Sequence, residues 1–151
     1  MTAQIKDILI FNDEKLYLSC EPLEKYLESI NLPYKLIMPN TGCARGYYSK
    51  WIIENNKLFL IGWEGYILEF MKVGMDYLFP GEEFVFANWF TGNIKIQVGK
   101  LINYVHGGYF SVYEGTRYLE FKSGILVNEY TKYLTQEEIA KIIQDEEDLP
   151  F

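Results

Sequence analysis

The stretch Trp51–Ile52–Ile53–Glu54–Asn55–Asn56–Lys57–Leu58–Phe59–Leu60–Ile61 decides the fold. Two runs of β-branched, aromatic and aliphatic residues flank a polar cluster. The cluster is turn-prone, so the stretch reads as a hairpin. The pattern has an earlier echo in Ile8–Leu9–Ile10–Phe11, Asn12–Asp13–Glu14 and Lys15–Leu16–Tyr17–Leu18. The echo is short and local, so it reads as two similar hairpins and not as a solenoid repeat.

Working outward, a short helix is predicted to start near Glu21–Pro22–Leu23–Glu24, with Leu23, Tyr26, Leu27 and Ile30 at helical spacing and Leu32–Pro33 as its end. Gly62, Gly65, Gly74 and Gly81 punctuate a turn-rich stretch, within which Tyr66–Met71 suits a strand or a short helix. Phe84–Ala87 reads as a buried strand, and Gly92–Asn93 as a turn before the alternating strand Ile94–Val98. Further strands are expected at Leu101–Val105, Tyr109–Glu114, Arg117–Phe121 and Ile125–Tyr130, with turns at Gly107–Gly108, Gly115–Thr116 and Ser123–Gly124. Thr135–Gln136–Glu137–Glu138 forms a capping box before a helix with the stripe Ile139, Ile142, Ile143, and Asp145–Asp148 reads as its solvated end. These elements indicate an α+β fold, mainly an antiparallel β-sheet that curls or closes partly into a barrel, with a short helix in the N-terminal half and a C-terminal helix. No linker-like stretch divides the chain, so residues 1–151 are expected to form a single domain.

The net charge is −7, and of the 14 basic residues only Arg45 and Arg117 are arginine. Phosphate contacts need clustered cations, so nucleic acid is not the expected partner. An acidic surface instead attracts a basic protein partner, or simply keeps the chain soluble. Two cysteines, Cys20 and Cys43, do not form a disulfide framework. No signal region and no apolar stretch of membrane-spanning length occurs, so a cytoplasmic protein is expected. No P-loop, Gly-x-Gly-x-x-Gly, Gly-x-Ser-x-Gly or Cys-x-x-Cys motif is present, and neither a cofactor nor a metal is expected.

Aromatic residues make up 17% of the chain, more than one core needs, so an exposed aromatic patch is expected. The densest segment, Tyr104 to Glu114, holds the single histidine, His106, beside Gly107 and Gly108. In a strand over Tyr109–Glu114, the side chains of Tyr109, Ser111 and Tyr113 share one face. That aromatic–hydroxyl face suits a sugar, a base or a protein hot spot, or plain cross-strand packing. His106 is a candidate general base with Glu114 or Glu64, or else a structural histidine. Arg45, in Gly42–Tyr48, is a candidate anion ligand or an ion-pair partner of Glu64 or Glu114. Trp89 and Phe90, like Trp63 and Tyr66, belong to the core or to the exposed patch.

The series Arg45–Gly46–Tyr47, Trp51, Leu58–Phe59–Leu60, Leu78–Phe79–Pro80, Phe86–Ala87–Asn88–Trp89–Phe90–Thr91–Gly92, Tyr104–Val105–His106 and Gly108–Tyr109–x–Ser111–Val112–Tyr113–Glu114 resembles a family of small bacterial hypothetical proteins. The likeness spans most of the chain. It implies a bacterial origin and a single domain, and carries no catalytic residue across.

A small, acidic, aromatic-rich bacterial domain looks like a toxin-neutralising immunity protein that occludes a basic partner. That is the favoured expectation, and binding is favoured over catalysis. The alternatives are a sugar- or nucleotide-binding protein and a small enzyme using His106.

Overall fold

The computed structural model describes residues 4–103 and 112–147. Its strands are β1 (Ile8–Phe11), β2 (Glu14–Tyr17), β3 (Tyr47–Glu54), β4 (Lys57–Ile67), β5 (Met71–Val73), β6 (Val85–Phe86), β7 (Gly92–Asn103), β8 (Val112–Lys122) and β9 (Ile125–Tyr133). Its helices are α1 (Glu24–Glu28), α2 (Met75–Leu78) and α3 (Gln136–Glu147).

The polar clusters read as turns do turn the chain. Asn12 and Asp13 (φ 50° and 64°), Asn55 and Asn56 (51° and 59°), and Ser123 and Gly124 (49° and 81°) all sit in the left-handed region. Each pair closes a two-residue hairpin whose twist matches that of its strands. All strands join one sheet in the order β2-β1-β3-β4-β9-β8-β7, with β5 and β6 also on β4. β1 lies parallel to β3, and the other strand pairs are antiparallel.

The sheet is curled and not closed. Its two ends meet where the Ser19 amide donates to the Lys95 carbonyl at 2.8 Å. The inner side carries the core: Leu9, Trp51, Leu58, Leu60, Ile94, Leu119 and Phe121 are essentially solvent-free. Leu23 is buried, and Tyr26, Leu27 and Ile30 pack against this core, so the helical spacing is right although α1 spans only Glu24–Glu28. The capping box forms as read: the Thr135 amide donates to Glu138 Oε1, and the Glu138 amide to Thr135 Oγ1, both at 3.1 Å.

The glycines account for several departures from the sequence expectations. Gly92–Asn93 is no turn but the start of β7. β7 then runs on to Asn103 across a register shift between Val98 and Leu101, where Gly99 has φ +79°, so Leu101 begins no separate strand. Gly115–Thr116 is no turn either and lies inside β8. Gly115 serves a close approach: a Cβ there would stand 2.7 Å from Cδ1 of Tyr133. Tyr66–Met71 is divided between the end of β4, a one-turn 3-10 segment and the start of β5, and α2 has no counterpart in the sequence reading. Among the described residues, no helix is long and apolar enough to cross a membrane.

Candidate functional site

Arg45 is delivered inward by a tight turn. The Gly42 amide donates to Asn40 Oδ1 at 2.9 Å, and the Gly46 amide to the Cys43 carbonyl at 3.1 Å. Gly46 has φ +84°, and a Cβ there would lie 2.9 Å from the Ile37 carbonyl oxygen, so glycine is required. Arg45 pairs with Asp7, not with Glu64 or Glu114: Nη2 to Oδ1 is 2.8 Å, with side-chain exposures of 3% and 0%. The same oxygen accepts the Ser49 amide at 2.7 Å, while Asp7 Oδ2 has no hydrogen-bond partner among the described residues. Burial pushes the Asp7 carboxyl above its ordinary pKa, against the charge of Arg45 and the hydrogen bonds from Ser49 and Arg45.

The guanidinium lies 5.4 Å and 5.7 Å from the ring centroids of Tyr47 and Tyr48. Tyr47 donates its hydroxyl to Glu24 at 2.8 Å, and Trp51 its indole N–H to Ser49 Oγ at 2.7 Å. This polar cluster ties β1, β3 and α1 together. Glu64 instead faces Lys72 at 3.3 Å and accepts the Tyr66 hydroxyl.

Trp89 is half-buried at the edge of the core. Its indole donates to the Pro22 carbonyl at 2.9 Å, and its ring stacks on Phe79 and lies 4.8 Å from Tyr26. His106, Tyr109 and Ser111 lie outside the described residues, so the three-residue face is represented by Tyr113 alone. Lys6 Nζ stands 5.2 Å from the centre of the Tyr113 ring. Glu114 lies over Gly99, and its carbonyl accepts the Leu134 amide at 2.8 Å.

Two surfaces extend beyond the residues singled out in the sequence reading, of which the second takes in Tyr113. The first is the outer face of the β1–β3–β4–β6 part of the sheet. Register places Ile10, Ile52, Phe59 and Phe86 in one cross-strand row, with their neighbours Leu9, Trp51, Ile53, Leu58, Leu60 and Val85 turned into the core. Phe84 stands at the end of this row, 58% exposed, its ring 6.2 Å from that of Phe59. A depression of about 500 Å³ beside it is lined by Ile61, Gly74, Met75, Asp76, Glu82, Glu83 and Phe84. Lys57 stands over Phe86 at 5.8 Å, so the charge divides: a cation along the row and three carboxylates beside Phe84. The signal was present in the sequence. Leu58–Ile61 is apolar without alternation, which a strand with one solvated face does not need.

The second surface is a groove where β8 and β9 approach the start of α3. It holds about 480 Å³ and is lined by residues that include Gln97, Tyr113, Thr116, Tyr118, Lys132 and Tyr133. Gln97, Thr116 and Lys132 form one cross-strand row. No cluster of three or more His, Cys, Asp or Glu able to hold a metal occurs among the described residues.

Comparison with protein-family models, with curated proteins and with solved structures finds no match for the chain.

Proposed function

We propose that this chain acts by binding, as an immunity-type protein that occludes a basic protein partner such as a toxin. The observation that carries the proposal is Phe84, exposed at the end of an apolar row on the outer sheet face and beside Asp76, Glu82 and Glu83. An exposed aromatic ring next to a half-buried apolar strip is a typical interface anchor, and carboxylates beside it favour a cationic partner. The net charge of −7 adds long-range attraction for the same partner. Occlusion requires no reacting group, only a surface that covers the partner's own site.

The test is a tagged pull-down from the native bacterial lysate, eluted with a salt gradient and run in parallel with Phe84→Ala and with Glu82→Lys/Glu83→Lys. The expected result is a basic protein released by salt from the wild type. Phe84→Ala should weaken its affinity by about thirtyfold, the loss of a hot-spot side chain, and the charge reversal should abolish capture at low salt. Capture of nothing at low salt, or equal capture by all three proteins, would overturn the proposal.

A further inference from the structure

A third recess lies between α1 and the segment 30–36, and it shares no lining residue with the depression beside Phe84. We infer that it is a binding site for a free α-amino acid with an apolar side chain.

The recess holds about 430 Å³, within the roughly 300–1,000 Å³ of small-molecule pockets. Its apolar part is made by Leu27, Ile30, Leu32 and Leu36, each only partly buried against the core. Their uncovered sides form a patch for a branched or aromatic side chain.

Glu24, Leu27 and Glu28 follow one another at i, i+3 and i+4, so α1 turns two carboxylates and one apolar side chain to the same face. The Tyr47 hydroxyl donates to Glu24 Oε1 at 2.8 Å and holds that carboxylate in place. The segment after α1 is tied down as well. The Tyr34 amide donates to the Tyr77 hydroxyl at 3.0 Å, and that hydroxyl donates to the Tyr34 carbonyl at 2.9 Å. The Ile37 amide donates to the Tyr66 carbonyl at 2.8 Å. The lining is thus held before any ligand arrives, which lowers the cost of binding.

Charge selects the ligand. Arg45 also lines the recess, but Asp7 holds its guanidinium and the side chain is only 3% exposed. Contact with a ligand therefore falls to Glu24, Glu28, Asn31 and Lys35. An amine alone would set a second cation beside Lys35. A carboxylate alone would meet Glu24 and Glu28. An ammonium and a carboxylate on one carbon use both sets: the ammonium donates to the glutamates, and the carboxylate accepts from Lys35 and Asn31. The side chain on that carbon then covers the apolar patch.

The test is an NMR titration of the full chain with L-leucine, L-isoleucine, L-valine, L-methionine and L-phenylalanine. Isoamylamine and isocaproate, which are leucine without its carboxylate and without its amine, are the comparators. At least one amino acid is expected to give saturable shifts at the amides of Glu28, Asn31, Lys35 and Leu36, and each comparator should bind at least about tenfold more weakly. Lys35→Gln and Glu28→Gln, both at exposed positions, should keep the fold and each weaken the amino acid about tenfold. Four results would overturn the inference. They are no saturable shift with any of the five amino acids, shifts confined to amides elsewhere in the chain, a comparator that binds as tightly as the best amino acid, and wild-type affinity in either variant.

Discussion

Replacing Arg45 by Met should be among the most damaging single changes in the chain, and its cost should depend on pH. Arg45 and Asp7 form an ion pair in which neither side chain has appreciable solvent contact. Removing one member of such a pair strands the other charge, which costs about 3–5 kcal/mol. For a domain of this size that corresponds to a fall in Tm of about 6–20 °C. In Arg45→Met, Asp7 keeps the Ser49 amide on Oδ1 but loses the cation that opposes its desolvation. Its pKa, already raised, rises further. A carboxyl with a raised folded pKa binds its proton more tightly folded than unfolded, so stability falls as pH rises through the window above the ordinary value of 3.8. The deficit of Arg45→Met should therefore be larger at pH 7.5 than at pH 4.5. Urea unfolding followed by tryptophan fluorescence reports this directly, since Trp51 is fully buried beside the cluster. Asp7→Asn and the double variant complete a cycle whose coupling energy isolates the pair. A loss below about 1 kcal/mol at pH 7.5, well short of a broken buried pair, or a larger loss at pH 4.5, would refute the reasoning.

Two further outcomes follow from the geometry. Gly124→Ala should cost about 2–5 kcal/mol, because an L-residue pays for the left-handed backbone and its Cβ would press on the Ala87 carbonyl; chemical denaturation measures it, and a loss within experimental error would contradict the φ of +81°. Burial pushes the Cys20 thiol up to about 11 from 9.0, so at pH 8 iodoacetamide should modify it about a hundredfold more slowly than in the unfolded chain. Peptide mapping by mass spectrometry resolves Cys20 from Cys43, and a rate that levels off near pH 9 would exclude the shift.

The hairpins were legible because their turns are chemically demanding. Asn12–Asp13, Asn55–Asn56 and Ser123–Gly124 all need positive φ, and few residue types tolerate it. The capping box was legible because Thr135 and Glu138 satisfy each other's amides locally. Gly115 was misread because the same absence of a side chain serves a turn or a close approach, and only the Tyr133 ring, eighteen residues on in the partner strand, distinguishes them. Arg45 was flagged but given the wrong partner. Asp7 is 38 residues away in a polar N-terminal stretch that resembles a solvated end.

The sequence by itself determined part of the local grammar: the three two-residue hairpin turns with the strands beside them, where the last helix starts, and the net negative charge. Those properties depend on backbone propensity and on charge, which neighbours along the chain settle. The tertiary structure decided the parallel pairing of β1 with β3, the burial of the Asp7–Arg45 pair, the exposure of Phe84 and the close approach of Tyr133 to Gly115. Each of these is a contact, or a missing contact, between segments far apart in the chain. Whether an aromatic side chain ends in the core or on the surface depends on which distant strand lies against it, and its own neighbours carry no record of that choice.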